Sequence, residues 1–367
     1  MDRSNKNHQQ RNDGTTGRDS EGAAACSQSS TKELHRKRSE TRIDSCKDKQ
    51  VANSGFLDDR CNVRNGSNAG PRLTPTAGKM TSNLTMIPGC GRPPPGKARL
   101  KIFEFDRAIV RQPAASVVHG LRTHGRDDPS FEGVAREHAA YTEALSRAGL
   151  VVTPLPPLPD YPDSVFVEDP ALVFPEGAIL LRPGTPTRAN EAAELRCSLS
   201  EMFDVVHELP EGHADGGDVL VTPHKVFIGI SDRTDEAGAA ALVRLLAGFG
   251  LHGEIVETPE EVLHLKTAAS LVDEETILTT EALAATGIFA GFRLLTVPAG
   301  EEGGANVLRV NDTLLAVAEF PRTLAMLLPY VPNLVTLEIR EVAKIDAGLT
   351  CMSLRWKSTC TSAGSAR

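Results

Sequence analysis

The chain has few aromatic residues and lacks long apolar runs. Phe, Tyr and Trp make up 4% of its 367 residues, and tryptophan occurs once. No stretch of about 18 apolar residues occurs, so a transmembrane helix is not expected, and the amino terminus lacks the apolar core of a secretory signal. The seven cysteines show neither paired spacing nor neighbouring histidines, which favours neither a disulfide framework nor a zinc site. We therefore expect a cytoplasmic protein without a bound metal.

Charge is divided unevenly along the chain. Residues 1–100 carry 18 Lys and Arg against 10 Asp and Glu, a net charge of +8, whereas the remaining residues carry 22 against 38, a net charge of −16. An acidic body is a poor match for nucleic acid and a better match for a small cationic molecule. No nucleic-acid or membrane partner is expected, and the oligomeric state stays open between monomer and homodimer.

Composition changes near residue 97. Residues 1–97 are rich in Ser, Asn, Gly, Lys and Arg and contain one aromatic residue, Phe56. So little apolar surface cannot offset chain entropy, which predicts a disordered tail. The Arg36-Lys37-Arg38 run also fits a nuclear or anion-binding signal, but a solvated tail is the simpler interpretation. We predict a folded domain over 98–357 and a flexible Ser/Thr-rich end over 358–367.

One local pattern recurs four times in the predicted domain. A polar residue is followed by two short apolar runs with a turn between them, as in the stretch from Asp218 to Ile230, which is typical of a β-hairpin. The other three hairpins follow Glu168, Lys266 and Asn306, so that the four polar residues are separated by 50, 48 and 40 residues. Such intervals indicate a repeated supersecondary unit, arranged around a centre that the polar residues face.

Helical periodicity separates the hairpins. The predicted helices cover 131–148, 190–202, 234–249, 280–286 and 321–328. A strand broken near Asp106 is predicted over 101–111, a buried strand over 150–153, and a last strand over 348–356. If the first and last strands pair, a fifth unit closes the chain on itself, giving an α/β fold.

Several acidic residues lie where the predicted strands begin. Asp163, Glu168 and Asp169 flank an apolar Val-Phe-Val segment, which suggests a pocket for a cation, although a solvated loop explains them equally well. Asp215 and Asp218 enclose two glycines, and such residues are also common turn formers.

Two further residues have both a structural and a chemical interpretation. An isolated histidine such as His264 is commonly a satisfied core residue, and a single apolar-strand cysteine such as Cys351 is commonly a small buried hydrophobe. Arg182 and Arg233 follow strands and could be surface charges. Taken together, however, a cysteine nucleophile requires a base, His264 supplies one, and a buried carboxylate such as Asp215 would orient the imidazole.

Six motifs, in this order and spacing, resemble the dimethylarginine dimethylaminohydrolase family of the guanidino-modifying superfamily. They are Asp163-Ser164-Val165-Phe166-Val167-Glu168-Asp169, Arg182-Pro183-Gly184, Asp215-Gly216-Gly217-Asp218-Val219-Leu220, Ser231-Asp232-Arg233-Thr234, Leu263-His264-Leu265-Lys266 and Gly348-Leu349-Thr350-Cys351. The resemblance covers about 99–357 and implies a five-bladed α/β propeller, closed by pairing of the N- and C-terminal strands of the domain.

The resemblance also implies roles for individual residues. Cys351 would be the nucleophile, His264 the general acid and base, and Asp215 its partner. The implied binding residues are Asp163, Glu168 and Asp169 for the guanidinium, Arg182 and Arg233 for the carboxylate, and the backbone of Leu121 and Ile345 for the α-amino end. The implied reaction converts asymmetric dimethylarginine, a small guanidino substrate, into citrulline and dimethylamine through a covalent Cys351 S-alkylthiouronium, without metal or organic cofactor.

Two other functions remain possible at this stage. Arginine deiminases and amidinotransferases resemble the chain at the Gly-Gly-Asp corner, but typically place an aspartate two residues after the catalytic histidine. Lys266 stands there in this chain, which favours a substrate with methylated nitrogens. A non-catalytic propeller that serves as a binding protein is the alternative from a different class.

Overall fold

The structure is a computed structural model that describes residues 100–122 and 127–359. These residues belong to one compact unit. The predicted tail at 1–97 lies outside the described residues, as do residues 360–367 of the end predicted to be flexible over 358–367. Ser358, at the start of that predicted end, donates from its N and Oγ to the carboxylate of Asp106, each at 2.7 Å. Among the residues described, none of the helices has the length and apolar character needed to cross a membrane.

Strands in the described part of the chain form five three-stranded sheets. In four of them, an antiparallel hairpin is followed by a helical segment and a third strand parallel to the second. The strands are β1 Arg107–Arg111, β2 Val151–Leu155, β3 Ala171–Phe174, β4 Gly177–Leu180, β5 Val206–Glu208, β6 Val219–Val221, β7 Val226–Ile230, β8 Gly253–Glu257, β9 Ala269–Leu271, β10 Thr276–Thr279, β11 Arg293–Thr296, β12 Leu308–Val310, β13 Thr313–Val317, β14 Asn333–Leu337 and β15 Leu354–Trp356.

The fifth sheet is built from both ends of the domain. β1 pairs antiparallel with β15, with Arg107 opposite Trp356 and Ile109 opposite Leu354, and β1 pairs in parallel with β2. The last strand therefore takes the place that a hairpin partner has in the other four sheets. The predicted pairing of the terminal strands and the four predicted hairpins are confirmed.

The α-helices within the described residues agree closely with the helices predicted from the helical periodicity. They are α1 Phe131–Arg147, α2 Glu191–Met202, α3 Glu236–Gly248, α4 Leu265–Ala268, α5 Glu281–Ala285 and α6 Pro321–Leu327. Local chemistry explains their ends: Ser130 accepts a hydrogen bond from Gly133 N at the start of α1, and Gly149 follows that helix with φ of 97°, a conformation that favours glycine. The short helix α4, which follows His264, was not predicted.

The strand predictions need three corrections. The first strand begins only at Arg107, and the last covers Leu354–Trp356, so Cys351 lies in a turn before that strand. The strand predicted as buried is an edge strand in which Val151 is 57% exposed. The corresponding edge strands β5, β8, β11 and β14 were missed because one-sided exposure leaves them without a clear apolar pattern.

Candidate active site

The polar residues that precede the four hairpins are all buried. Glu168, Asp218, Lys266 and Asn306 are each exposed by 8% or less. Lys266 Nζ lies 2.8 Å from Glu168 Oε1, and Asn306 Nδ2 donates to the backbone oxygen of Lys266 at 2.8 Å. Asp218 Oδ1 accepts from Leu265 N at 3.0 Å, directly before Lys266. The repeated unit thus brings these corners together.

His264 and Asp215 form a buried hydrogen-bonded pair. His264 Nε2 lies 3.2 Å from Asp215 Oδ2, and the other oxygen of Asp215 accepts from Gly184 N at 2.9 Å. The ring also lies against Gly217, where an added Cβ would come within 2.7 Å of its Cγ and Nδ1. Burial opposes protonation, but the hydrogen bond that the ring donates to Asp215 and the charges of Asp218 and Asp169 raise the pKa of His264 to about 9. The imidazole is therefore held in place and protonated at neutral pH.

Cys351 is a free thiol in the interior. Its backbone oxygen accepts a hydrogen bond from Glu168 N at 3.1 Å, which places the nucleophile candidate beside the carboxylates. Burial, followed by the charges of Asp169 and Glu168, raises the pKa of Cys351 to about 12, although Lys266 opposes this shift. The thiol is consequently protonated at neutral pH.

Two carboxylate oxygens in this cluster lack hydrogen-bond partners among the described residues. Lys266 and Arg355 both contact Glu168 Oε1, at 2.8 and 2.9 Å, while Oε2 is buried and unpartnered. Similarly, Arg188 pairs with Asp169 Oδ2, while Oδ1 is buried and unpartnered. Buried acceptors without donors are costly, so the pair is suited to a ligand that brings planar N–H donors and a positive charge.

The third predicted guanidinium ligand lies at the edge of this cluster. Asp163 Oδ1 accepts a hydrogen bond from the backbone of Leu121 at 2.9 Å, and burial raises the pKa of Asp163. A Cβ on Gly120 would come 3.1 Å from Asp163 Oδ1 and 3.2 Å from Ile345 Cγ2. Leu121, Asp163 and Ile345 are therefore neighbours around Gly120, consistent with their predicted use in one pocket.

The two predicted carboxylate-binding arginines occupy adjoining loops. Arg182 is exposed, and its backbone oxygen accepts from Ala214 N. Arg233 is half-buried, with its backbone N donating to Ser231 Oγ at 3.0 Å. A Cβ on Gly184 would come 2.4 Å from Arg233 O, so this glycine permits the loops to touch.

Arg188 is a site residue that the sequence reasoning missed. It is buried and pairs with Asp169 and Glu191, and its Nη2 donates to the backbone oxygens of Asp163 and Phe166. These acidic partners raise its pKa well above the ordinary value despite burial, while Arg188 in turn lowers the pKa of Asp169 against the effect of burial. The sequence feature that could have indicated Arg188 is its spacing of three residues from Glu191, but oppositely charged pairs at this spacing are common on solvated helices.

Three side chains at the site could also hold a metal ion. Ligand atoms of Asp169, Asp215 and His264 all lie within 4.8 Å of one another. The same side chains are already engaged with each other and with Arg188. The expectation that catalysis needs no metal stays a prediction.

Comparison with known proteins defines the class. The arginine deiminase family model matches residues 155–303. The dimethylarginine dimethylaminohydrolase of Pseudomonas aeruginosa is 33% identical over 254 residues, 69% of this chain and the whole of that protein. That of Streptomyces coelicolor is 34% identical, with 68% of this chain and 96% of that protein covered.

Solved structures agree. A mutant of the Pseudomonas aeruginosa enzyme complexed with citrulline superposes with a TM-score of 0.67 at 32% identity, covering 69% of this chain and all of that one. The N-terminal domain of the arginine dihydrolase ArgZ shares the fold at 17% identity and a TM-score of 0.62. Fold and site thus define a hydrolase of guanidino C–N bonds. Within that class, the chain belongs to the dimethylarginine dimethylaminohydrolase family.

Proposed function

We propose that this chain hydrolyses asymmetric dimethylarginine to citrulline and dimethylamine. The observation that carries the proposal is the pair of unpartnered carboxylate oxygens, Glu168 Oε2 and Asp169 Oδ1, beside a buried free thiol. The Pseudomonas aeruginosa and Streptomyces coelicolor relatives are named for this activity. A planar guanidinium supplies the donors that the two oxygens lack.

The remaining binding roles follow from the arrangement of the pocket. Asp163 would take a further guanidinium N–H, and the backbone of Leu121 and Ile345 the α-amino end. Arg182 and Arg233, on their adjoining loops, would hold the carboxylate of the substrate. Lys266 favours dimethylarginine over arginine because its Nζ is committed to Glu168 and offers no acceptor for an unmethylated nitrogen.

Cys351 would act as the nucleophile only after the substrate binds. A bound guanidinium cation neutralises the two carboxylates that raise the pKa of the thiol, so the thiolate forms when it is needed. Its sulfur attacks the central guanidino carbon, and His264, protonated and oriented by Asp215, gives a proton to the departing dimethylamine. Water, losing a proton to His264, then attacks the S-alkylthiouronium, and the C–S bond breaks to release citrulline.

We also propose that the five sheets are the blades of a closed propeller that forms the catalytic domain at 98–357. The pairing of β1 with β15 supports this closure. The small guanidino substrate would enter where the polar corners meet. Location in the cytoplasm remains a prediction.

Citrulline release tests the function. We expect the full chain to release citrulline from asymmetric dimethylarginine and much less from arginine. Cys351→Ser should lose activity by at least about a thousandfold while folding normally, because a hydroxyl is a far weaker nucleophile than a thiolate.

Other outcomes would redirect the assignment. Citrulline from arginine alone would make the chain a deiminase despite Lys266. No release from either substrate would contradict the hydrolase and favour the binding-protein alternative. Full activity in the Cys351→Ser chain would remove Cys351 from the mechanism.

A further inference from the structure

Asn306 connects the two segments that carry His264 and Cys351. Its Nδ2 donates to Lys266 O at 2.8 Å, two residues after the histidine, and to Thr350 Oγ1 at 3.0 Å, one residue before the cysteine. Its Oδ1 accepts from Thr350 N at 3.1 Å. One buried amide, 4% exposed, therefore holds both segments.

The orientation of this amide is fixed by its backbone partners. The backbone N–H of Thr350 can only donate, so the atom facing it must be Oδ1. The backbone carbonyl of Lys266 can only accept, so the atom facing it must be Nδ2. Exchanging the two atoms of the Asn306 amide would break both hydrogen bonds. Nδ2 is thus a donor towards Thr350, and the Thr350 hydroxyl must accept there.

The proton of that hydroxyl is consequently available for another acceptor. Thr350 Oγ1 lies 4.0 Å from Cys351 Sγ, at the outer limit for a hydrogen bond to sulfur, and the distance alone allows either atom to be the donor. We propose that Thr350 donates its hydroxyl proton to the sulfur of Cys351, and that Asn306 is the positioning residue that fixes this direction. The inference rests on the proposed role of Cys351 as nucleophile.

A close contact with Gly348 also holds the side-chain amide of Asn306 in place. An added Cβ at Gly348 would come within 2.5 Å of Asn306 Cγ, so the amide packs directly on this glycine. Asn306 therefore contacts both Gly348 and Thr350 in the segment that leads to Cys351.

A hydrogen-bond donor to Cys351 Sγ would offset the negative charges that disfavour the thiolate. The charged groups that act on Cys351 are Asp169 and Glu168, which disfavour its thiolate, and Lys266, which favours it. A hydroxyl proton directed at sulfur stabilises the thiolate relative to the thiol. It would act both in the free chain and as the thiolate attacks the substrate.

The test measures thiol reactivity without any substrate. The full chain is treated with iodoacetamide between pH 6 and 10, and alkylation at Cys351 is quantified by peptide mass spectrometry. Thr350→Val keeps the shape but removes the proton, so we expect about tenfold slower alkylation at every pH in this range. Thr350→Ser should stay within about twofold of the native rate.

Asn306→Asp provides an independent variant. Its carboxylate has no donor for Thr350 and would accept the hydroxyl proton instead, so alkylation should again slow by about tenfold. Thr279→Val, in β10, removes a buried threonine hydroxyl outside the site and should alkylate at the native rate. Circular dichroism checks that each variant folds, and Thr350→Ala replaces Thr350→Val if the latter does not.

The outcomes separate this inference from the proposed function. Native-rate alkylation in Thr350→Val or Thr350→Ala, or equal slowing in Thr350→Ser, would overturn the hydroxyl donor whatever the turnover of the native chain. The expected rates in a chain that hydrolyses no guanidino compound would support the donor and reject the function.

Discussion

Within the described residues, the pKa of His264 is raised to about 9, and its protonation links the proposed proton donor to the stability of the fold. Asp215 hydrogen-bonds to the ring, and Asp218 and Asp169 add negative charge. The folded chain therefore binds this proton more tightly than the unfolded chain, in which the pKa is about 6.5. The same interactions that prepare a proton donor also stabilise the fold.

This coupling predicts a specific pH dependence of stability. The stabilisation is complete below pH about 6.5 and declines as pH rises towards about 9, where the folded state loses the proton as well. The loss should be on the order of 3 kcal/mol in the free energy of unfolding. Urea unfolding of the native chain and of His264→Gln at pH 6, 7.5 and 9 measures it. If the free energy of unfolding depends equally on pH in both chains, His264 is not the group responsible for this dependence.

Some residues of the candidate site could be predicted from the sequence, and others could not. Cys351, His264 and the carboxylates were predicted because they combine chemical type with recognisable motifs. Arg188 and Arg355 were missed because neither stands in such a motif, and their importance comes from three-dimensional pairing with Asp169 and Glu168. Long-range ion pairs leave no periodic signal in one sequence.

Among the elements, α1 supports the segment that leads to Cys351, the proposed nucleophile. Both Glu137 carboxylate oxygens accept from Glu341 N at 3.0 Å, and one accepts from Val342 N at 2.9 Å. These donors begin the short helical turn Val342–Ile345. The carboxylate thus satisfies the free N–H groups of a turn that includes the predicted substrate contact Ile345.

Removing this carboxylate should weaken both fold and binding. Glu137→Ala leaves two backbone donors without their acceptor, and we expect a loss of about 2 kcal/mol in the free energy of unfolding together with a severalfold higher KM for dimethylarginine. Chemical denaturation and steady-state kinetics measure the two effects. Glu132→Ala, an exposed position on the same helix, is the control and should change neither. A normal KM in Glu137→Ala would show that the turn does not position the substrate.

The helices and strands also show which secondary structure the sequence pattern predicts and which it does not. Helices α1 and α3 were predicted to within two residues because their apolar stripes and end residues agree. The edge strands were missed because their side chains face solvent on one side, and the turn before β15 was taken as strand because its residues are buried and apolar. Burial alone does not distinguish a strand from a buried turn.

For the molecule as a whole, the fifth sheet brings the first and last strands of the domain side by side. Arg107 lies opposite Trp356 in the β1 and β15 pair, so the ends of the domain are adjacent. A permuted chain in which a short linker joins residues 359 and 100, with new ends at the exposed Asp273 to Glu275 turn, should fold and retain activity. Thermal unfolding and citrulline release test this, and an unfolded permutant would mean that the closure does not tolerate relocation of the ends.

The position of β15 also has a consequence for how the protein is made. A ribosome releases the chain from its amino end, and earlier parts can fold while later ones are still being added. Thr350, Cys351 and Arg355 lie in or just before β15, and β15 completes a sheet whose strands β2 and β1 are synthesised about 200 and about 245 residues earlier. Until these residues emerge, β1 has an open edge and Glu168 lacks one of its two cations. We therefore expect a nascent chain that stops short of β15 to be inactive and exposed to wrong strand pairing at β1.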